Sequence, residues 1–169
     1  DYGHKIITLY AASKTFNLAG MKVSQLICSD TNIVKKVEDV YMTLGIHASN
    51  TLGLIASQKA YECGDAYVDG LITYLDKSIK WLQDYLKNEC PQVKLIEPQG
   101  MYILWLDFRS LNLDQDQLDD FLLNKANLWL NNGNLFGQGG EGFMRINLAL
   151  PLSELKVVMN QLKKAIESL

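Results

Sequence analysis

Ala12-Ser13-Lys14-Thr15-Phe16-Asn17-Leu18-Ala19-Gly20 places a lysine inside a short run of small, polar and turn-forming residues. The preceding stretch, Lys5 to Tyr10 (KIITLY), is β-branched and aromatic and reads as a strand. Beyond the run, Lys22 to Cys28 (KVSQLIC) reads as a second strand, apolar enough to be expected buried on both faces. Lys14 therefore sits where a strand ends. Most lysines are solvated surface charges, but ligands of α/β sheets bind at strand ends. A lysine partly desolvated there has a lowered pKa and can act as a neutral nucleophile. Lys14 is the first candidate for chemistry.

Working outward, Ser29 to Asn32 offers N-caps for a helix from about Ile33 to Leu44, and Asn50-Thr51 caps another through Cys63. From Gly64-Asp65, Val68, Leu71, Ile72, Leu75, Ile79, Leu82 and Leu86 recur at steps of three and four, one face of a long amphipathic helix that Pro91 ends. Val93 to Ile96 and Met101 to Phe108 follow as strands. Asp114 and Asp116 open a short helix burying Leu118, Phe121 and Leu122. Leu128 to Leu130 reads as a short strand. A glycine-rich turn, Gly137 to Gly142, leads to a last strand, Phe143 to Leu150. Pro151 and Ser153 begin a terminal helix with Leu155, Val158, Met159, Leu162 and Ile166 inward. The expected architecture is α/β, with an α+β second part.

Composition narrows the function classes. Nearly half of the 169 residues are apolar (48%), so a sizeable core is expected, and the net charge is −3. The short cationic pairs Lys35-Lys36 and Lys163-Lys164 belong on solvated helix faces. Neither nucleic acid nor a membrane is an expected partner. Cys28, Cys63 and Cys90 lack a CxxC spacing, which argues against a zinc site or disulfide framework and for a reducing, cytoplasmic setting. His4 and His47 lack metal-ligand spacing, and no metal is expected. Gly137, Gly139 and Gly142 spell GxGxxG but precede a strand rather than a helix, so they are a turn and not a dinucleotide fingerprint. The acidic run from Asp114 to Asp120 lacks the glycine and glutamate of an EF-hand loop and suits a helix N-terminus. Trp81, Trp105 and Trp129 are expected in the core.

Three motifs carry a family resemblance: SKTFNLAG (Ser13 to Gly20), GMYILWLDFR (Gly100 to Arg109) and GFMRINLALP (Gly142 to Pro151). Together, in this order, they resemble fold type I pyridoxal-phosphate (PLP) enzymes of the aminotransferase class I/II superfamily. The match is to the C-terminal portion of the MalY/PatB-type cystathionine β-lyases, which are C–S lyases. The resemblance implies a remnant of the large PLP-binding domain over residues 1–60 and a C-terminal small domain over 61–169, linked by the long amphipathic helix. It implies that Lys14 is the Schiff-base lysine, that Ser13 and Lys22 contact the cofactor phosphate, and that Arg145 binds the α-carboxylate of an amino-acid substrate. Arginine suits that role because its planar fork pairs with a carboxylate through two hydrogen bonds. Without the family context, Arg145 reads as an edge-strand residue in a surface ion pair.

Two positions depart from the pattern. Ala11 stands where many relatives have Ser or Thr, and Lys22 where many aminotransferases have a phosphate-binding arginine. Lys22 can neutralise phosphate only as a point charge. The resemblance implies β-elimination from cystathionine or cysteine conjugates, releasing thiol, pyruvate and ammonia, by a homodimeric enzyme. Lys14 and Arg145 would then converge on one amino acid. An aminotransferase on the same scaffold is the first alternative. The second is a folded fragment without activity of its own, since the chain opens without methionine close to a strand.

Overall fold

The computed structural model describes residues 6–46 and 48–169. His4, His47 and the first residue of the strand expected from Lys5 lie outside them. The chain divides into two compact units, Asp1–Leu71 and Ile72–Leu169.

The first unit contains an antiparallel pair, β1 (Ile7–Tyr10) and β2 (Gln25–Cys28), in register from Ile7 opposite Cys28 to Tyr10 opposite Gln25. Two helices follow, α1 (Thr31–Thr43) and α2 (Thr51–Cys63). Both begin where a side chain can satisfy a free backbone N–H. Asp30 Oδ1 accepts from Asn32 N at 2.8 Å, and Asn50 Oδ1 from Leu52 N at 3.1 Å. The expectation that β2 is buried on both faces fails: Ile27 is 60% exposed and its neighbours are only half-buried. The sheet has just two strands, and among the described residues no second layer covers it.

The long helix α3 (Asp65–Glu89) contains the unit boundary. Its buried stripe is Leu75, Ser78, Leu82 and Leu86. Ile72, expected inward, is half exposed, and Ile79 is partly exposed. Ser78 is buried in the stripe because its hydroxyl donates to the Tyr74 carbonyl at 3.0 Å, satisfying it within the helix.

The second unit is built on an antiparallel sheet in the order β3 (Lys94–Leu95), β4 (Ile103–Asp107), β6 (Phe143–Asn147), β5 (Asn131–Asn132). Alternation puts Leu104, Leu106, Met144 and Ile146 on the buried face, while Ile103, Trp105, Phe143 and Arg145 occupy the other. The short helix α4 (Gln115–Asp120) starts in a reciprocal capping box, Asp114 with Gln117, and continues as one π-turn, Phe121–Lys125. The terminal helix α5 (Leu152–Ile166) buries Leu155, Met159, Leu162 and Ala165. It lies beside α3: Lys163 Nζ is 2.6 Å from Glu89 Oε2, and Leu152 N donates to Tyr74 Oη at 2.6 Å.

Three strand expectations shift. Leu128 to Leu130 forms no strand, because Leu128 N is spent on the Leu122 carbonyl and closes the π-turn; pairing with β6 begins at Asn131. The last strand ends at Asn147, whose side chain turns the chain by accepting from Ala149 N. β4 starts at Ile103, since Met101 has a left-handed φ of 63°. Trp129, expected in the core, is 92% exposed.

Candidate active site

In the first unit, the chain leaving β1 at Tyr10 turns immediately. Phe16 N donates to the Ala12 carbonyl and Leu18 N to the Ser13 carbonyl, each at 3.0 Å. Ala12 is buried at the base of the turn, Ser13 is half-buried and Lys14 is exposed. A 3₁₀ turn, Ala19–Met21, follows, with Lys22 as its left-handed cap (φ 52°). The turn is held from both ends. Phe16 packs edge-on against Tyr61 (5.7 Å) and stacks with Tyr67 (6.2 Å), while Tyr10 stacks on Tyr61 (5.8 Å). Gly64 lies so close to Phe16 that a Cβ there would overlap its ring. At the other end, Asn50 Nδ2 donates to the Met21 carbonyl at 3.2 Å. Burial and the neighbouring Tyr10 hydroxyl push the Tyr61 phenol above its ordinary value. The Lys14 side chain, expected to be sheltered from water, is exposed among the described residues.

In the second unit, Arg145 sits on β6 with Trp105 of β4 and Asn131 of β5 as its cross-strand partners. It is half-buried on an inner strand, not on a sheet edge. Its Nη2 donates to Asn131 Oδ1 at 2.9 Å, and its Cζ lies 4.7 Å from the centre of the Phe136 ring. Among the described residues no carboxylate pairs with it, so the surface ion-pair alternative is not what the structure contains.

The sequence has one other arginine, Arg109. It is paired to Asp107 through Nε to Oδ1 (2.9 Å) and Nη2 to Oδ2 (2.8 Å). The Arg109 guanidinium holds the Asp107 carboxyl below the usual carboxylate range. Of the two guanidiniums, that of Arg109 is paired with a carboxylate and that of Arg145 with a neutral amide.

The loop before β6 is fixed tightly. Gln115 is buried, and its Oε1 accepts from Gly142 N at 2.9 Å. Gly133 and Gly140 approach so closely that a Cβ on either would meet the other's backbone. Gly137, Gly139 and Gly142 all have positive φ, so the GxGxxG pattern is a turn leading into a strand.

The family model for aminotransferase class I and II matches residues 1–162. The chain belongs to the aminotransferase class I and II family.

Cystathionine beta-lyase PatB of Bacillus subtilis (strain 168) is 34% identical over 166 residues, covering 98% of this chain and 43% of that protein. Protein MalY of Escherichia coli (strain K12) is 28% identical over 153 residues, 88% of this chain and 38% of that protein. Among solved structures, cystalysin from Treponema denticola, which contains a pyridoxal 5'-phosphate cofactor, superposes with a TM-score of 0.93 at 34% identity. That superposition covers 98% of this chain and 42% of the other. This member of the aminotransferase class I and II family thus spans about two fifths of the length of these relatives.

Of the residues singled out from sequence, Ser13 and Lys14 fall in one turn of the first unit, Lys22 caps the 3₁₀ turn that follows it, and Arg145 lies in the second unit. Asn131, Phe136 and Gln115 were not singled out. Their roles depend on strand register and loop closure, for which the local sequence carries only the polar run Asn131-Asn132-Gly133-Asn134 as a hint.

Proposed function

We propose that this chain supplies the catalytic lysine and the substrate-carboxylate arginine of a PLP-dependent C–S lyase, which eliminates thiolate from cystathionine or a related cysteine conjugate to leave pyruvate and ammonia. The observation that carries the reading is Arg145, a fork with a neutral hydrogen-bond partner, on a chain similar over 98% of its length to a cystathionine beta-lyase.

The donor set of the Lys14 turn fits PLP. An exposed primary amine stands beside a half-buried hydroxyl, with the cation of Lys22 on the next turn. Lys14 would hold the cofactor, Ser13 would donate to its phosphate, and Lys22 would neutralise that phosphate as a point charge. The bound cofactor supplies an electron sink for the substrate α-carbon. Arg145 grips the substrate α-carboxylate with two N–H groups and so fixes which α-bond is broken. Lys14 would take the substrate α-proton as general base, the thiolate would leave from the β-carbon, and water would hydrolyse the remaining enamine to pyruvate and ammonia. The active enzyme is a cytoplasmic homodimer, with residues 1–60 belonging to its large domain and 61–169 forming the small one.

An aminotransferase is the second reading, favoured by 25% identity over 157 residues to an aspartate aminotransferase of Pyrococcus horikoshii. The full-length protein decides between them: pyruvate release from cystathionine without a keto acid supports the lyase, and keto-acid-dependent amino transfer supports the alternative. Lys14→Ala is expected to remove both the visible absorption of the bound cofactor and the turnover. Retention of both would take Lys14 out of the chemistry.

A further inference from the structure

Arg145 is oriented by groups that leave its charge intact. An arginine side chain only donates hydrogen bonds, so the amide of Asn131 must present its oxygen, as it does at 2.9 Å. The Arg145 Cζ lies over the Phe136 ring, 4.7 Å from its centre, and that ring is itself set edge-on to Trp105 at 5.4 Å. Both contacts come from one short segment: Asn131 on β5, then the 3₁₀ turn Gly133–Phe136, capped by Asn132 Oδ1 accepting from Asn134 N at 2.8 Å. Asn132 also donates to Asp119 Oδ2 at 2.6 Å, which ties the segment to α4. The guanidinium is thus contacted at one nitrogen by an amide oxygen and by one aromatic ring.

Arg109 shows what a different choice would do. On the same sheet, Asp107 takes two of its donors and cancels its charge. An aspartate at position 131 would make the same pair with Arg145, and its negative charge would also repel an approaching carboxylate.

We propose that Asn131 is a positioning residue of the substrate-carboxylate site: its side-chain oxygen fixes the Arg145 fork, and its neutrality keeps that fork's charge for the substrate. This rests on the reading of Arg145 as the carboxylate anchor. Asn131 need not touch substrate; it acts through Arg145.

The experiment is calorimetric titration of the full-length holoenzyme with L-alanine and L-alaninamide, which differ at the group Arg145 would hold and carry no β-leaving group. The wild type is expected to bind the acid more tightly than the amide, and Arg145→Gln to abolish that preference. Asn131→Asp, nearly isosteric, is expected to weaken L-alanine binding by about tenfold or more while leaving L-alaninamide within about threefold, the size of losing one charge-assisted pairing. Asn131→Ala keeps the test decisive if the aspartate variant does not accumulate. It frees the fork without neutralising it and is expected to cost about three- to tenfold for the acid alone. Loss of the preference in Arg145→Gln but wild-type L-alanine affinity in the Asn131 variants overturns the role of Asn131 and leaves the anchor standing. Equal loss for acid and amide also overturns it, because a merely structural role would act on both. A preference that survives Arg145→Gln overturns the anchor itself and this inference with it.

Discussion

Replacing Arg145 with lysine separates the planar fork from the positive charge. In the structure one guanidinium N–H is engaged by Asn131 at 2.9 Å. A guanidinium has five N–H groups, so about four remain, enough for two parallel bonds to a carboxylate. An ammonium has about three donors on a flexible stem and meets the ligand as a point charge, even if it keeps the bond to Asn131. The variant therefore retains its charge and loses one charge-assisted hydrogen bond, a cost of roughly 1.5–3 kcal/mol. That corresponds to a fall in kcat/KM of roughly 10- to 150-fold. In the proposed function the fork would hold the carboxylate before and during proton removal, so the loss is expected mainly in KM. Pyruvate formation from cystathionine by the full-length enzyme, followed over a range of substrate concentrations, gives both constants. A variant within about threefold of wild type in kcat/KM would refute the assignment of the fork to the substrate.

Leu82 is fully buried in the middle of α3, so Leu82→Ala is expected to cost about 2.7–5 kcal/mol of stability, read from urea unfolding; a loss under about 1 kcal/mol would mean the helix does not seal this core. Asp107 supplies a pH-dependent contribution: its folded-state pKa is lowered, first by the Arg109 side-chain hydrogen bond, so the stabilisation is present above the unfolded pKa of about 4 and is lost as pH falls through the lower folded value. Asp107→Asn is expected to flatten the acid limb of the stability profile below about pH 4, and an unchanged limb would remove the pair from the balance.

What was legible in the sequence follows the range of the interactions. Caps and helix periods are local, so α2 and α3 begin where Asn50 and Gly64-Asp65 announce them, and the stop at Pro91 holds. Strand limits depend on partners elsewhere in the chain. Leu128 to Leu130 has the apolar character of a strand, yet its first N–H goes to the Leu122 carbonyl, and the ladder runs through Asn131 and Asn132, which have poor strand propensity. Burial was the hardest property to read. Apolar β2 was expected to lie between two layers, but a two-stranded sheet cannot provide them. Trp129 has the size of a core residue and none of its surroundings. At the site, residue types were readable and their states were not: the sequence offered Arg145 as a candidate, but only the register of β5 against β6 reveals Asn131 as its partner.

The two arginines make the same point energetically. Arg109 meets Asp107 two residues away, a pairing that local geometry can form as soon as the strand ends, and the backbone N–H of Arg109 adds a third bond at 3.0 Å. Arg145 meets Asn131 only after two strands have registered and the Gly133–Gly140 crossing has closed, because Phe136 arrives from within that crossing. Arg109 also lies over an aromatic ring, its Cζ 4.7 Å from the centre of Phe143, so the two cations differ in the carboxylate and not in the ring. A cation held by a distant amide and the face of an aromatic ring is oriented at the expense of assembling the whole sheet edge, yet nothing in that assembly cancels its charge. In the function proposed above, the negative charge that this guanidinium lacks is brought by the α-carboxylate of an amino acid.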